Sequence, residues 1–307
     1  MMQQFIDPKT LSRVKDLPLA AKTLAQGFLQ GMHHSMQRGV GIEFSQYRIY
    51  EPGDDLSKID WKLFARSDRY FVREAERESD INVYLVLDSS RSMLQKSDLS
   101  KEKGSDKKGH WSKFEYARYL LATVAYLAQK QGDAVGLLNL SSEHSAYLPA
   151  FSGERHWQKI LIQLARMTAN NSFPDINQVR AQLSAMRNSG LIFMVSDFHQ
   201  QNSEIVDLVC QLSNSRTEVV AIQLESQDEI DFPYKGAIRF EDLETKKQLL
   251  VSASQVKADY FHYKATYQEQ LLTQLAQHKV QHFHANIDKP LDQTLYDFLR
   301  VRNKVVR

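Results

Sequence analysis

The feature that most constrains this chain is an alternation of short apolar runs with helical patterns, beginning at Ile81-Asn82-Val83-Tyr84-Leu85-Val86-Leu87. That run is too apolar to leave one face in water, and it stops abruptly at Asp88. Similar runs follow at 134–140, 191–195 and 218–224. Between them, apolar residues three and four apart predict helices over about 113–130, 154–167, 176–188 and 203–214. Strands apolar on both faces, alternating with helices, predict an α/β fold: a mostly parallel, Rossmann-like sheet with helices on both faces. The run 146–151 reads as an edge strand, because Pro149 has no N–H to give to a central ladder.

The flanks differ from this core. Residues 1–79 predict an N-terminal appendage, with a helical pattern over about 9–38 that Pro18 divides. Short strands and turns follow it, around Pro52-Gly53-Asp54-Asp55. Residues 80–307 hold the α/β core and a C-terminal extension from about 225. That extension carries a charged stretch with strand character at 237–240, a helix over about 254–278, a strand at 280–285 and a last helix to about 301.

Composition narrows the functional classes. Net charge is +2, with 39 basic residues scattered among 37 acids, so no field favours nucleic acid. The single cysteine, Cys210, excludes an intramolecular disulfide and a cysteine-based metal cluster. No apolar stretch approaches the roughly 18 residues that cross a bilayer, and residues 1–8 lack the pattern of a signal peptide. The expectation is a cytoplasmic protein without a membrane span.

Three oxygen-bearing clusters fall at the carboxyl ends of predicted strands or beside them. They are Asp88-Ser89-Ser90-Arg91-Ser92, then Ser196-Asp197, then Asp175 at the start of the helix near 176. Open parallel sheets bind ligands at that edge, where the strand order reverses. Hydroxyls at Ser90 and Ser92, with carboxylates at Asp88 and Asp197, suit a hard cation such as Mg2+ or Mn2+.

Asp88-x-Ser90-x-Ser92 after an apolar strand, with a later strand ending at Asp197, resembles the metal-ion-dependent adhesion site of von Willebrand factor A domains. More of the chain resembles the bacterial domain-of-unknown-function 58 family. Its blocks are Gly39-Val40-Gly41-Ile42-Glu43-Phe44, Arg48-Ile49-Tyr50-Glu51-Pro52-Gly53-Asp54-Asp55, Ile59-Asp60-Trp61-Lys62, Gly132-Asp133-Ala134-Val135-Gly136-Leu137 and Val195-Ser196-Asp197-Phe198. The resemblance implies a von Willebrand factor A-like core that binds proteins, working with a MoxR-type AAA+ ATPase or its client in assembling or activating other proteins. It also implies a threonine ligand on the loop before the helix near 176. Pro174 stands there instead, which leaves Ser172 and Asp175 as further candidate ligands.

Other features have simpler readings. Arg48, Asp54, Asp55, Asp60, Trp61 and Arg66 read as an ion-pair block docking the appendage, since arginine and carboxylate form geometrically specific forks. The polar segment 94–113 reads as a loop beside Ser92, and Arg91, Lys101, Lys107 and Lys108 would form a basic rim attracting an acidic partner. His33-His34 and His282-x-His284 lack a complete zinc pattern. The alternative function is a metal-dependent phosphohydrolase using Asp88 as nucleophile, although the acid/base expected two residues on is Ser90. A cell-surface adhesion protein is a third reading, disfavoured by the lone cysteine.

Overall fold

The computed structural model describes residues 47–49, 70–73, 81–97, 111–143, 145–169, 172–187, 190–199, 203–243 and 245–305. The chain divides into two compact units, one of residues 29–80 and one of residues 1–28 and 81–307. In the first, β1 (Tyr47–Ile49) pairs antiparallel with β2 (Phe71–Arg73). Arg48 lies in β1, while Asp54, Asp55, Asp60, Trp61 and Arg66 of the proposed ion-pair block lie outside the described residues.

The second unit is built on a six-stranded sheet. In chain order its elements are β3 (Asn82–Asp88), α1 (Lys113–Lys130), β4 (Ala134–Leu140), β5 (Tyr147–Phe151), α2 (Glu154–Arg166), α3 (Ile176–Met186), β6 (Gly190–Ser196), α4 (Glu204–Leu212) and β7 (Thr217–Glu225). Then come α5 (Gln227–Asp231), β8 (Ala237–Glu241), β9 (Gln248–Ser252), α6 (Ala253–Gln277), β10 (Gln281–Asn286) and α7 (Leu291–Val305). The sheet order is β10-β7-β6-β3-β4-β5. Every neighbouring pair is parallel except β4 with β5, which is antiparallel. The chain thus starts in the middle, winds to one side through β4 and β5, and returns to wind to the other through β6, β7 and β10. This is the doubly wound order, and its switch point falls between β3 and β6.

Alternate residues of each strand feed opposite faces. Tyr84, Val86, Ile192, Met194, Val219 and Ala221 join α3, α4 and α6 in one core through Leu183, Val209 and Leu271. Cys210 of α4 is half-buried and packs against the same cluster. On the other face, Phe298 of α7 meets the rings of Phe193 and Phe283 at 5.7 and 5.4 Å. Tyr116 of α1 donates to Thr294 of α7, and α2 meets α1 where Trp157 lies against Tyr126. The expected α/β class, with helices on both faces of a mostly parallel sheet, is therefore the observed one.

The C-terminal region departs from expectation. The charged stretch after β7 contains α5 and a second strand, β9, which pairs antiparallel with β8. The last helix runs to Val305 rather than 301. Among the described residues, no helix is long and apolar enough to cross a membrane.

One close approach fixes the register of the central strands. A Cβ on Gly136 of β4 would sit 2.3 Å from Cε1 of Tyr84. The Tyr84 ring cannot swing away freely, because its hydroxyl bonds to Tyr147 Oη at 3.1 Å and accepts from the Ala150 amide at 3.2 Å. Gly136→Ala should therefore overpack the sheet and cost about 1–3 kcal/mol. Urea unfolding checks this, and a change below about 0.5 kcal/mol would mean that the aromatic stack yields easily.

Candidate cation and partner-docking site

The two strands flanking the switch point, β3 and β6, deliver the candidate residues to one place. Asp88 ends β3 and is fully buried, as are Ser196, which ends β6, and Asp197 just beyond it. Asp88 Oδ2 accepts from Ser196 Oγ at 2.6 Å, and Oδ1 accepts from the Ser90 amide at 2.8 Å. Ser90 Oγ lies 2.9 Å from Ser92 Oγ, and Ser92 Oγ donates to Asp197 Oδ1 at 3.3 Å. Asp88, Ser90, Ser92 and Asp197 thus form one connected cluster, and residues 91–94 make the short 3-10 turn that presents Ser92.

Local geometry serves this arrangement. Phe198 adopts φ 58°, a left-handed conformation rare for a bulky side chain. It is fully buried and held from both sides: its amide donates to Ser196 Oγ at 2.9 Å, and its carbonyl accepts from Tyr267 of α6. Such strain costs on the order of 1–3 kcal/mol and concentrates at functional sites. Here it turns the chain so that the His199 amide also donates to Asp197 Oδ1, at 3.1 Å.

Electrostatically, Asp88 is the odd group. Burial, and then the charge of Asp197, push its carboxyl up to about 7, against the opposing pull of the hydrogen bonds from Ser196 and Ser90. Beside Asp197 lies a residue that the sequence did not single out. Lys113, the first residue of α1, has no exposed surface, and its ammonium meets Glu229 Oε1 at 2.7 Å, Gln95 Oε1 at 3.0 Å and Asp197 Oδ2 at 3.3 Å. Burial alone would pull this lysine down, but Asp197 and Glu229 outweigh it and hold the ammonium above its usual value. Glu229 in turn lies 3.2 Å from His199 Nε2. Burial alone would raise its carboxyl, yet His199 and Lys113 hold it well below the usual range.

The remaining candidates fall elsewhere. Ser172 is exposed and donates to Ser142 Oγ, and Asp175 caps α3 by accepting from the Asn177 amide at 2.7 Å. Neither exchanges a hydrogen bond with the cluster among the described residues. Arg91 sits half-buried on the 3-10 turn, whereas Lys101, Lys107 and Lys108 lie outside the described residues. His282 and His284 point the same way from β10, toward Gln223 at 2.9 Å and Glu225 at 2.6 Å.

The donor chemistry can be matched to a divalent ion. Among the described residues, no group of three or more His, Cys, Asp or Glu could hold a metal. A cation at this cluster would therefore rest on Ser90 Oγ, Ser92 Oγ and the single carboxylate of Asp197. Those are hard oxygens of the kind that Mg2+ or Mn2+ takes. Asp88, with both oxygens engaged, holds the loop.

A model of the family described as "Protein of unknown function DUF58" matches residues 46–271. The chain belongs to that family. An uncharacterized protein of Mycobacterium tuberculosis is 26% identical over 247 residues, spanning 78% of this DUF58 chain and 72% of its own length. YeaD of Bacillus subtilis, also uncharacterized, is 24% identical over 136 residues, 44% of this chain and 29% of its own. Among solved structures, the conserved hypothetical protein BatB from Bacteroides thetaiotaomicron aligns over 72% of this chain and 99% of its own, at 12% identity and TM-score 0.42. The SpRpn10 VWA domain covers 70% of this chain and 93% of its own, at 9% identity and TM-score 0.39.

Proposed function

We propose that this DUF58 chain is a protein-interaction module, and that it captures a partner's acidic side chain at the Asp88–Ser90–Ser92–Asp197 cluster. The observation that carries this reading is the convergence of the two switch-point loops on one buried, hydrogen-bonded set of oxygens, with the half-buried Ser92 at its outer side. Ser90, Ser92 and Asp197 would hold a Mg2+ or Mn2+ ion when one is bound. The ion would supply positive charge toward the partner's carboxylate. Asp88 and Ser196 keep the serine loop in place, and Arg91 contributes to a basic rim.

The family resemblance supplies the partner class: a MoxR-type AAA+ ATPase, or a client that the two proteins assemble or activate together in the cytoplasm. The phosphohydrolase alternative is weaker. A nucleophile must reach its substrate, whereas the Asp88 carboxylate is fully buried and accepts from both Ser196 and the Ser90 amide.

The test is partner capture by the purified chain, with a MoxR-type ATPase as bait, in EDTA and in millimolar Mg2+. Wild type should retain the ATPase in Mg2+. Asp88→Ala should lose it at least tenfold, and so should Ser92→Ala, whose milder truncation guards against unfolding. Full retention by both variants would end the proposal. Metal-dependent phosphatase turnover lost in Asp88→Asn would favour the enzyme instead.

A further inference from the structure

Lys113 is in the wrong place for a lysine by every local criterion. Ser112 and Glu115 form a capping box that starts α1, so Lys113 sits in the first turn, where the helix dipole disfavours a cation. It is also fully buried, a rare condition for lysine unless the charge is paired. A local rule broken at a site this close to a ligand cluster indicates a functional demand.

The surroundings are built to meet that demand. The ammonium has three N–H donors and three acceptors, Gln95, Asp197 and Glu229, contributed by three separate parts of the chain. Glu229 is itself set by a capping box with Ser226 at the start of α5. Asp197 is divided between two roles: Oδ2 faces Lys113, while Oδ1 faces Ser92 and the His199 amide. The carboxylate that accepts from Ser92 is therefore already paired with a cation.

We propose that Lys113 is the resident cation of this cluster, keeping the free chain's affinity for divalent ions low until a partner's carboxylate supplies the missing negative charge. This rests on the reading of the cluster as a cation and carboxylate dock. Lys113 acts as a positioning residue: it touches Asp197 and, being buried, no partner. Removing its charge should expose Asp197 as an unpaired buried carboxylate and create a demand for a metal ion.

The experiment is Mn2+ titration by calorimetry, with melting temperature in EDTA and in millimolar Mn2+, on three proteins. These are wild type, Lys113→Met, and the double variant Lys113→Met/Glu229→Gln. The double variant removes the ammonium together with one of its two carboxylates, so that only Asp197 is left uncompensated. Mn2+ should bind the double variant at least tenfold more tightly than wild type. Its melting temperature should rise by several degrees with Mn2+, and wild type should move little. Adding Asp197→Asn should abolish the gain, which a general loosening of the fold would not do.

Equal Mn2+ affinity in wild type and double variant would overturn the role of Lys113, and so would no binding to the double variant. A double variant that stays unfolded in millimolar Mn2+ would also count against it, because the ion would then not stand in for the ammonium. Partner capture lost in Asp88→Ala and Ser92→Ala alongside equal Mn2+ affinities would leave the docking reading intact while removing this one.

Discussion

Replacing Lys113 by alanine should destabilise the chain by about 3–5 kcal/mol, the usual cost of deleting one partner from a buried ion pair. Asp197 is completely buried and Glu229 nearly so, with side-chain exposures of 0% and 12%. Both would keep their negative charge, or take up protons, without the cation around which they are arranged. Urea unfolding should show the full loss, and calorimetry a fall in melting temperature on the order of 10 °C. Lys246→Ala is the fitting control. Its pair with Glu241 is 58% and 42% exposed, and such pairs contribute about 0–1 kcal/mol. Acid should narrow the gap. The Glu229 carboxyl is held below its unfolded value, so its stabilisation is present above the ordinary carboxylate range and is lost as pH falls through the folded value. A Lys113→Ala loss below about 1 kcal/mol at neutral pH would mean that water reaches the ammonium and that the network is loose.

The sheet was legible because its causes are local. Leu85, Val86 and Leu87 are all fully buried, which is what a run apolar on both faces demands, and Pro149 does lie on an edge strand. The antiparallel direction of β5 was not written in its residues. It goes with a short connection after β4, beside which Ser145 Oγ donates to the Ser141 carbonyl at 2.8 Å. The small helix α5 carried a readable signal, Ser226-x-x-Glu229, the same capping pattern as Ser112-x-x-Glu115, but five residues give no periodicity to notice. Asp88, Ser90, Ser92 and Asp197 could be singled out because strand ends at a switch point bring such residues together. Lys113 could not be, since its acceptors Asp197 and Glu229 lie 84 and 116 residues away. In the sequence it is one more lysine beside a lysine-rich segment. Ser172 and Asp175 have residue types that suit a metal, and the bonds shown for them go instead to Ser142 Oγ and to the Asn177 amide at the start of α3.

Asp88→Asn should stabilise the chain above neutral pH and change little near pH 4. An aspartate in the unfolded chain loses its proton near 3.8, whereas burial and the neighbouring Asp197 hold the folded Asp88 carboxyl at about 7. Between those values the folded state binds the extra proton, so stability falls as pH rises, by about 1.4 kcal/mol per pH unit and ~4 kcal/mol over the full window. An amide carries no charge to desolvate, and it suits the bonds present. Its oxygen can accept from the Ser90 amide, and its NH2 can donate to Ser196 Oγ, which already accepts from the Phe198 amide. Urea unfolding of both proteins at pH 4, 6 and 8 should give curves that coincide at the lowest pH, have already separated in favour of the variant at pH 6, and stay apart at pH 8. If Asp88→Asn instead loses stability at pH 8, the native carboxylate is ionised there and a positive charge balances it. Repeating the pH 8 measurement in EDTA would then assign that charge: a penalty that disappears points to a divalent ion, and one that persists points to Lys113.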